Sequence, residues 1–379
     1  MRVRRILPPL RFSLALMVAL ALAAVALAPA AAVRDRDRAP ALEFLGEAVF
    51  PTGYVFGGTV VGGLSGIAYD AERGVFYSLS DDRSEIGPAR FYTLRVDLTD
   101  GGLDPGDVAF TGVTTLTGTD GNPFPALSLD PEGIALTKDD TLVITSEGDT
   151  SRLIAPFVRT FGLDGRSVSA LPVPSYFLPT ADGSSGIRNN LAFESAGVTP
   201  NGRFFYTGTE GALFQDGPAA SLTNGSPARL LVYNLRSGKL NAQYLYPVEP
   251  IAEPSVPASA FAVNGLVELL PLDNHSLLAM ERSFSVGAGN TITLYLISDR
   301  PAQDIERFSS LAGRLDEIRP VSKTLLLDLD SLGITLDNVE GMAFGPELPD
   351  GRRSLILVSD NNFSAAGFTQ FLAFAYSED

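Results

Sequence analysis

One pattern recurs along this chain: a short apolar strand, a turn rich in Gly, Asn or Asp, and a second apolar strand that ends on a carboxylate. It reads LSGIAYDAERGVFYSLSDD from Leu64, DPEGIALTKDDTLVITSEGD from Asp130 and FESAGVTPNGRFFYTGTEG from Phe193. Weaker copies are VNGLVELLPLDNHSLLAMER from Val263 and NVEGMAFGPELPDGRRSLILVSDNN from Asn338. The closing acids are Asp81, Glu147, Glu210, Glu281 and Asp360, spaced 63 to 79 residues apart, a period long for a solenoid but suited to a propeller blade with loops. Between the hairpins lie further strand candidates, FYTLRVDL and VAFTGVTTL, FVRTFGL and SVSALPVP, RLLVYNL and NAQYLYPV, and TITLYLIS and KTLLLDLD, so each unit holds four strands.

The fifth unit has only one more strand, QFLAFAY, before the chain stops, and ALEFLGEAVF near the start can supply the fourth. The expected fold is therefore all-β: one β-propeller of about five four-stranded blades, with six as the alternative, closed by the N-terminal strand so that no sheet edge is left open. One helix is expected over residues 304–318, in the long connection within the fourth unit, projecting from the face opposite the acids. The Pro- and Ser-rich stretch 247–259 reads as a loop between blades, because a domain boundary there would leave both sides as open rings.

Residues 1–32 read as an export signal, with Arg2, Arg4, Arg5 and Arg11 as a basic start, an apolar run over 12–28, and Ala28-Pro29-Ala30 or Ala30-Ala31-Ala32 as the cleavage site. The competing reading is an uncleaved anchor. Residues 33–41 form a short charged linker and 42–379 the propeller. The expected location is the periplasm or the exterior, with no membrane span after cleavage. Losing four Arg and no acid moves the formal charge from −16 to −20, which repels nucleic acid and anionic membranes and favours cations or cation-bridged ligands. The absence of Cys excludes disulfides, thiolate metal sites and thiol nucleophiles. A monomer is expected.

In a propeller blade, the connection entering the first strand and the one leaving the second emerge on one face beside the axis. The strand starts Ser65, Glu132, Glu194, Asn264 and Glu340 and the five closing acids should thus crowd one end of the channel. The long connections 176–189, 211–228 and 247–262 fall on that face, where loops on a rigid scaffold carry binding. Close carboxylate pairs repel by roughly 4 kcal/mol at an effective dielectric near 20, so they must be hydrated, protonated or bridged by a cation. A hard, oxygen-ligated ion suits them, and Ca²⁺ is the expected cofactor, with Asp81, Glu147, Glu210, Glu281 and Asp360 as its ligands. The alternative is that each acid merely accepts hydrogen bonds from neighbouring loop backbones.

Arg83, Arg152, Arg188 and Arg282 lie in or beside the same loops; Arg83, Arg188 and Arg282 are candidates for holding an anionic substrate, and could equally neutralise adjacent acids. His275, the only histidine, falls in a turn on the opposite face, which excludes a Ser-His-Asp triad and a histidine-rich metal centre.

The segments LSGIAYD, DPEGIAL and NVEGMAFGP, with the ends SDDR, SEGD, MER and SDNN, resemble the phytase-like family, also named for an esterase-like activity of phytase. The resemblance implies an exported protein whose repeated acids hydrolyse phosphoesters. Its acidic strand starts match Glu132, Glu194 and Glu340, the catalytic candidates, while Ser65 and Asn264 replace the acid in units one and four and unit three reads FESAG without the EG pair. Three functions stand open: a metal-dependent phosphoesterase acting on a small phosphorylated molecule, a lactone or sugar-ester hydrolase at a single axial Ca²⁺ with ligands such as Glu132 and Asn264, and a non-catalytic propeller that binds a ligand or an envelope partner.

Overall fold

The computed structural model describes residues 40–378. The expected export signal and nearly all of the linker lie outside the described residues. Strand β1 (Ala41–Pro51) is followed by a small hairpin, β2 (Val55–Phe56) and β3 (Thr59–Val60). Blade 1 is β4 (Leu64–Asp70), β5 (Val75–Ser80), β6 (Arg90–Val96) and β7 (Val108–Thr115). Blade 2 is β8 (Pro131–Leu136), β9 (Thr141–Ser146), β10 (Phe157–Gly162) and β11 (Ser167–Leu171). Blade 3 is β12 (Gly197–Val198), β13 (Phe204–Gly208), β14 (Ser226–Asn234) and β15 (Lys239–Val248). Blade 4 is β16 (Ala262–Pro271), β17 (Ser276–Ser285), β18 (Gly289–Ser298) and β19 (Ser322–Asp328). Blade 5 is β20 (Asn338–Glu347), β21 (Arg353–Asp360) and β22 (Phe368–Ser377), with β1 antiparallel to β22 as its fourth strand. The fold is an all-β, five-bladed propeller with almost no helix.

The apolar runs in the repeats are continuous rather than alternating because both faces of every sheet are covered. In β9, Leu142 and Ile144 pack toward blade 1 while Val143 packs toward blade 3. In β21, Leu355 and Leu357 face blade 4, and Ile356 and Val358 face blade 1. In β17, Leu277 and Ala279 face blade 3, and Leu278 and Met280 face blade 5. Each blade boundary thus has its own cluster, and each fully buried Leu or Ile contributes about 1.5–3 kcal/mol relative to exposure.

The helix expected over 304–318 does not form; that stretch of the β18–β19 connection holds a single 3-10 turn, Leu315–Glu317. Its backbone groups are engaged elsewhere: Ile305 N donates to Gln243 O (2.9 Å), and Leu311 N to Asp216 Oδ1 (2.9 Å). Asp304 Oδ1 accepts from Gln243 N (3.1 Å) and Glu306 N (2.9 Å), while Ile305, Leu311 and Ile318 pack on Leu245. The segment therefore covers the outer edge of blade 3, which β15 would otherwise present unpaired. Among the described residues no helix is long and apolar enough to cross a membrane.

The inner strands β4, β8, β12, β16 and β20 touch their neighbours in that cyclic order, with β20 against β4. Their convergence explains the Gly that follows most strand starts. A Cβ on Gly133 would fall 2.5 Å from Glu194 O and 2.7 Å from Thr145 Oγ1, and one on Gly66 2.8 Å from Glu132 O. Because the first obstacle in each case is backbone of the next blade, relief requires the inner strands to separate. Gly133→Ala is expected to destabilise the protein by about 1–3 kcal/mol, read as a lower denaturant midpoint at unchanged slope. An unchanged midpoint would show that the inner strands have room to spare.

Candidate functional site

The convergence of inner strands brings acids from four blades together. Glu132 and Glu340 lie on β8 and β20, Glu194 precedes β12, and Asp81, Glu147 and Glu210 follow the second strands of blades 1, 2 and 3, while Asp360 ends β21. Asp130, just before β8, joins them. Carboxylate oxygens of Asp130, Glu132 and Glu147 lie within 4.8 Å of one another, as do those of Glu147, Glu194 and Glu210. Glu147 belongs to both groups; it also accepts a hydrogen bond from Ala192 N.

Blade 4 contributes differently. Glu281 is saturated at the blade 3/4 boundary, accepting from Tyr246 OH (2.9 Å), Glu249 N (3.0 Å), Asn264 Nδ2 (3.1 Å) and Lys323 Nζ. It does not join the ring as the matching repeat ends suggest. The next residue along β17 takes its place, because adjacent residues of a strand point to opposite faces. Arg282 Nη2 donates to Glu340 Oε1 at 2.8 Å and lies 3.4 Å from Glu210 Oε1. Asn264 is likewise turned to Glu281 and to the carbonyls of Glu249 and Pro250, away from a ligand role at the axis.

On the blade 5 side, Asn338 Nδ2 donates to Glu340 Oε1 (2.8 Å) and Asp360 Oδ2 (3.4 Å). Asp81 sits beside Gly63, where a Cβ would fall 1.8 Å from its Oδ1, and that buried oxygen has no hydrogen-bond partner. Arg282 Nε is also buried without a partner. Arg83 bridges the rim, 2.7 Å from Asp149 Oδ2 and 3.6 Å from Asp130 Oδ1. Arg188 lies apart from the ring: it donates to the carbonyls of Ala212 and Gly217 and stacks over Phe214, holding the loop after Glu210. Arg152 pairs with Asp149 at an exposed position. His275 lies in the β16–β17 turn, at the opposite end of blade 4 from Arg282, with Nδ1 2.8 Å from Asp299 Oδ1.

Burial first, and neighbouring carboxylates second, push Asp81, Glu132, Glu147 and Glu194 well above the usual carboxylate range. Burial likewise raises Asp130 and Glu210 to about 7, although Arg83 and Arg282 respectively oppose it, and Asp360 to about 8 with help from Glu340. Burial disfavours the charge on Arg282, but Glu210 and Glu340 more than offset it and hold the guanidinium ionised. An all-oxygen donor set with an orphaned carboxylate oxygen and raised carboxyls fits a hard divalent cation, and offers nothing to a soft one.

Sequence reasoning did not single out Asp130, Asn338 or Glu268. The first two flank quoted motifs, DPEG and NVEG, but acids and amides there also read as turn formers. Glu268 had a clearer signal, one acid inside the apolar run GLVELLPL. Almost fully buried, it accepts from Ala196 N (3.0 Å) at the start of blade 3 and Leu269 N (2.8 Å) in blade 4, so one carboxylate ties two neighbouring blades.

The family model described as phytase-like, esterase-like activity of phytase, matches residues 59–363. No curated protein matches the chain. Among solved structures, a Dos1 propeller is similar at 8% identity and TM-score 0.35, covering 82% of this chain and 67% of that one. A luciferin-regenerating enzyme is similar at 11% identity and TM-score 0.34, covering 88% of this chain and 95% of that one.

Two outcomes follow from the ring. Carboxyls raised to about 7 and about 8 hold their protons more tightly in the folded chain than in the unfolded one, where values near 4 apply. Folding of the metal-stripped protein therefore takes up protons between about pH 4 and 8, and its stability should fall as pH rises through that window. Urea midpoints at pH 5 and pH 8 measure this; a midpoint that rises with pH would mean that the acids are ionised and neutralised within the fold. Glu268→Ala leaves two buried N–H groups, those of Ala196 and Leu269, without their acceptor and should cost at least about 2 kcal/mol in the same assay.

Proposed function

The chain belongs to the phytase-like family, and from that membership together with the ring of acids we propose that it is a phosphoester hydrolase assisted by a divalent, oxygen-ligated cation, with Ca²⁺ the expected ion. The observation that carries this reading is Glu147, common to two groups of three carboxylates that are too close to stay ionised unaided. Asp130, Glu132, Glu147, Glu194 and Glu210 would hold the cation, and Asp81 offers a further free oxygen. A bound cation would neutralise these acids and draw a phosphate to a site that otherwise repels it. The basic start and apolar run of residues 1–32 support an activity exported to the periplasm or beyond.

The chain's own groups supply the remaining roles. Arg282 presents Nε, unpartnered and buried, to an anionic oxygen of the substrate, while Glu340 and Glu210 fix the guanidinium plane. In hydrolysis of a phosphomonoester, Glu340, beside Arg282 and outside the two groups that would hold the cation, takes a proton from the attacking water as its oxygen bonds to phosphorus, and the alcohol oxygen leaves with a proton from solvent as the P–O ester bond breaks. Arg83 steadies Asp130 at the rim, and Arg188 shapes the loop after Glu210 without reaching the substrate.

Calorimetric titration of Ca²⁺ into metal-stripped protein should show binding that Glu147→Gln weakens by at least about tenfold. Glu281→Gln should leave it unchanged, since Glu281 is saturated at the blade boundary. Turnover measured on a phosphomonoester, a phosphodiester and a lactone should favour a phosphoester and fall about 100-fold in Arg282→Ala. Preferential lactone turnover would select the ester-hydrolase reading. No binding at millimolar Ca²⁺ together with no turnover would leave a binding scaffold.

A further inference from the structure

The mouth of the ring is not uniformly polar. Arg282 and Phe284 lie two residues apart on β17 and so project from the same face, Phe284 about 7 Å nearer the loop end of the strand. Their partners on β16 are Gly265 and Val263. That face is the one turned to blade 5, where Arg282 pairs with Glu340, and beside the axis the guanidinium also reaches Glu210 of blade 3. An aromatic side chain therefore lies one strand step beyond the Arg282 guanidinium, toward the loop end, on the same face.

Phe284 is half-buried, and Phe261, from the connection leading into β16, packs on it with ring centroids 6.2 Å apart and a tilt of 37°. Phe261 is 64% exposed, and Val256 and Val286, hydrogen-bonded to each other and to its backbone, are 67% and 36% exposed, an apolar surface at the loop end of the strand that carries Arg282. This surface is held in shape. Val256 N donates to Val286 O (2.7 Å) and Val286 N to Phe261 O (3.0 Å). Ser285 Oγ donates to Glu253 O (2.6 Å), and Ala252 N to Ser283 Oγ (3.0 Å), joining loop and hairpin at both ends. A stitched apolar surface binds without the ordering cost of a free loop.

We infer that Phe261, Phe284, Val256 and Val286 form a subsite for the apolar, aryl-type group of a small amphiphilic phosphoester whose anionic end reaches Arg282. This rests on the phosphoester reading and narrows its substrate class: the alcohol part is apolar rather than a polyol. That occupant is indicated by the pairing, on one strand face, of a guanidinium with an unpartnered N–H and an aromatic side chain two residues further along the strand. A polyol has less apolar surface to bury against these rings than an aryl group and would gain less from them.

The test uses non-hydrolysable probes with the Ca²⁺-loaded protein. Phenylphosphonate and methylphosphonate share the anionic end and differ only in the apolar group. Calorimetry should give the phenyl compound an advantage of roughly tenfold, from ring contact with Phe261 and Phe284. Phe261→Ser should remove most of that advantage while leaving methylphosphonate affinity unchanged, and Phe261→Trp should keep it. Equal affinities for the two probes, or an advantage that survives Phe261→Ser, would overturn the subsite and leave the phosphoester reading standing. Binding of neither probe would overturn the phosphoester reading and this inference with it.

Discussion

Five inner strands must pass one axis, and the space left between them decides what each may carry. Where they come closest, only glycine fits, as at Gly66 and Gly133. Side chains from the strand behind can then pass over the glycine toward the axis: Asp81 lies over Gly63, Thr145 over Gly133 and Arg282 opposite Gly265. The small residues and the acids of the repeat are thus one device, in which the missing side chain of one strand makes room for the charged side chain of the next. Blade 3 departs from it, with Ser195 following Glu194, and there the Ser195 hydroxyl accepts from Gly208 N and stays within its own sheet.

Crowding carboxylates at such a position is unfavourable by itself, and the protein answers differently around the ring. Blade 4 supplies Arg282 between Glu210 and Glu340, and blade 5 supplies Asn338 to Glu340 and Asp360. Among the described residues, blades 2 and 3 provide no cation of their own to the Glu147 groups, which are reached only from outside, at Asp130 by Arg83 of blade 1 and at Glu210 by Arg282 of blade 4. The uncompensated charge is therefore concentrated on one side, which is where a cation has the most to gain. Glu268, below the ring, meets the same problem with backbone donors alone, Ala196 N just after Glu194 and Leu269 N on its own strand β16.

Much of this was legible in the sequence because a repeat exposes its own alignment. The hairpins, the four strands per unit, the five units and the gathering of Glu132, Glu147, Glu194, Glu210, Glu340 and Asp360 at one end all follow from the period and the propeller's connectivity. The failures were local. Aligning strand ends by their last acid selected Glu281, but in a strand a shift of one residue reverses direction, and Arg282 is the residue that faces the ring. Arg188 was near the right loop in sequence, yet its guanidinium serves backbone carbonyls that composition cannot reveal. The segment 304–318 has helical spacing, but the bare edge of β15 and the carboxylate of Asp216 take up its backbone groups instead.

The boundary clusters have a consequence for how such a molecule can come into being and change. Because each cluster draws on two sheets, a single blade has no interior of its own, and a chain lacking one blade would expose the flanks of both neighbours. Order is then a property of the whole circle rather than of its parts, and the five sheets should form and melt as one cooperative unit. Over evolutionary time the acid-bearing loops are free to drift, whereas the number of blades can change only by the gain or loss of an entire four-stranded sector.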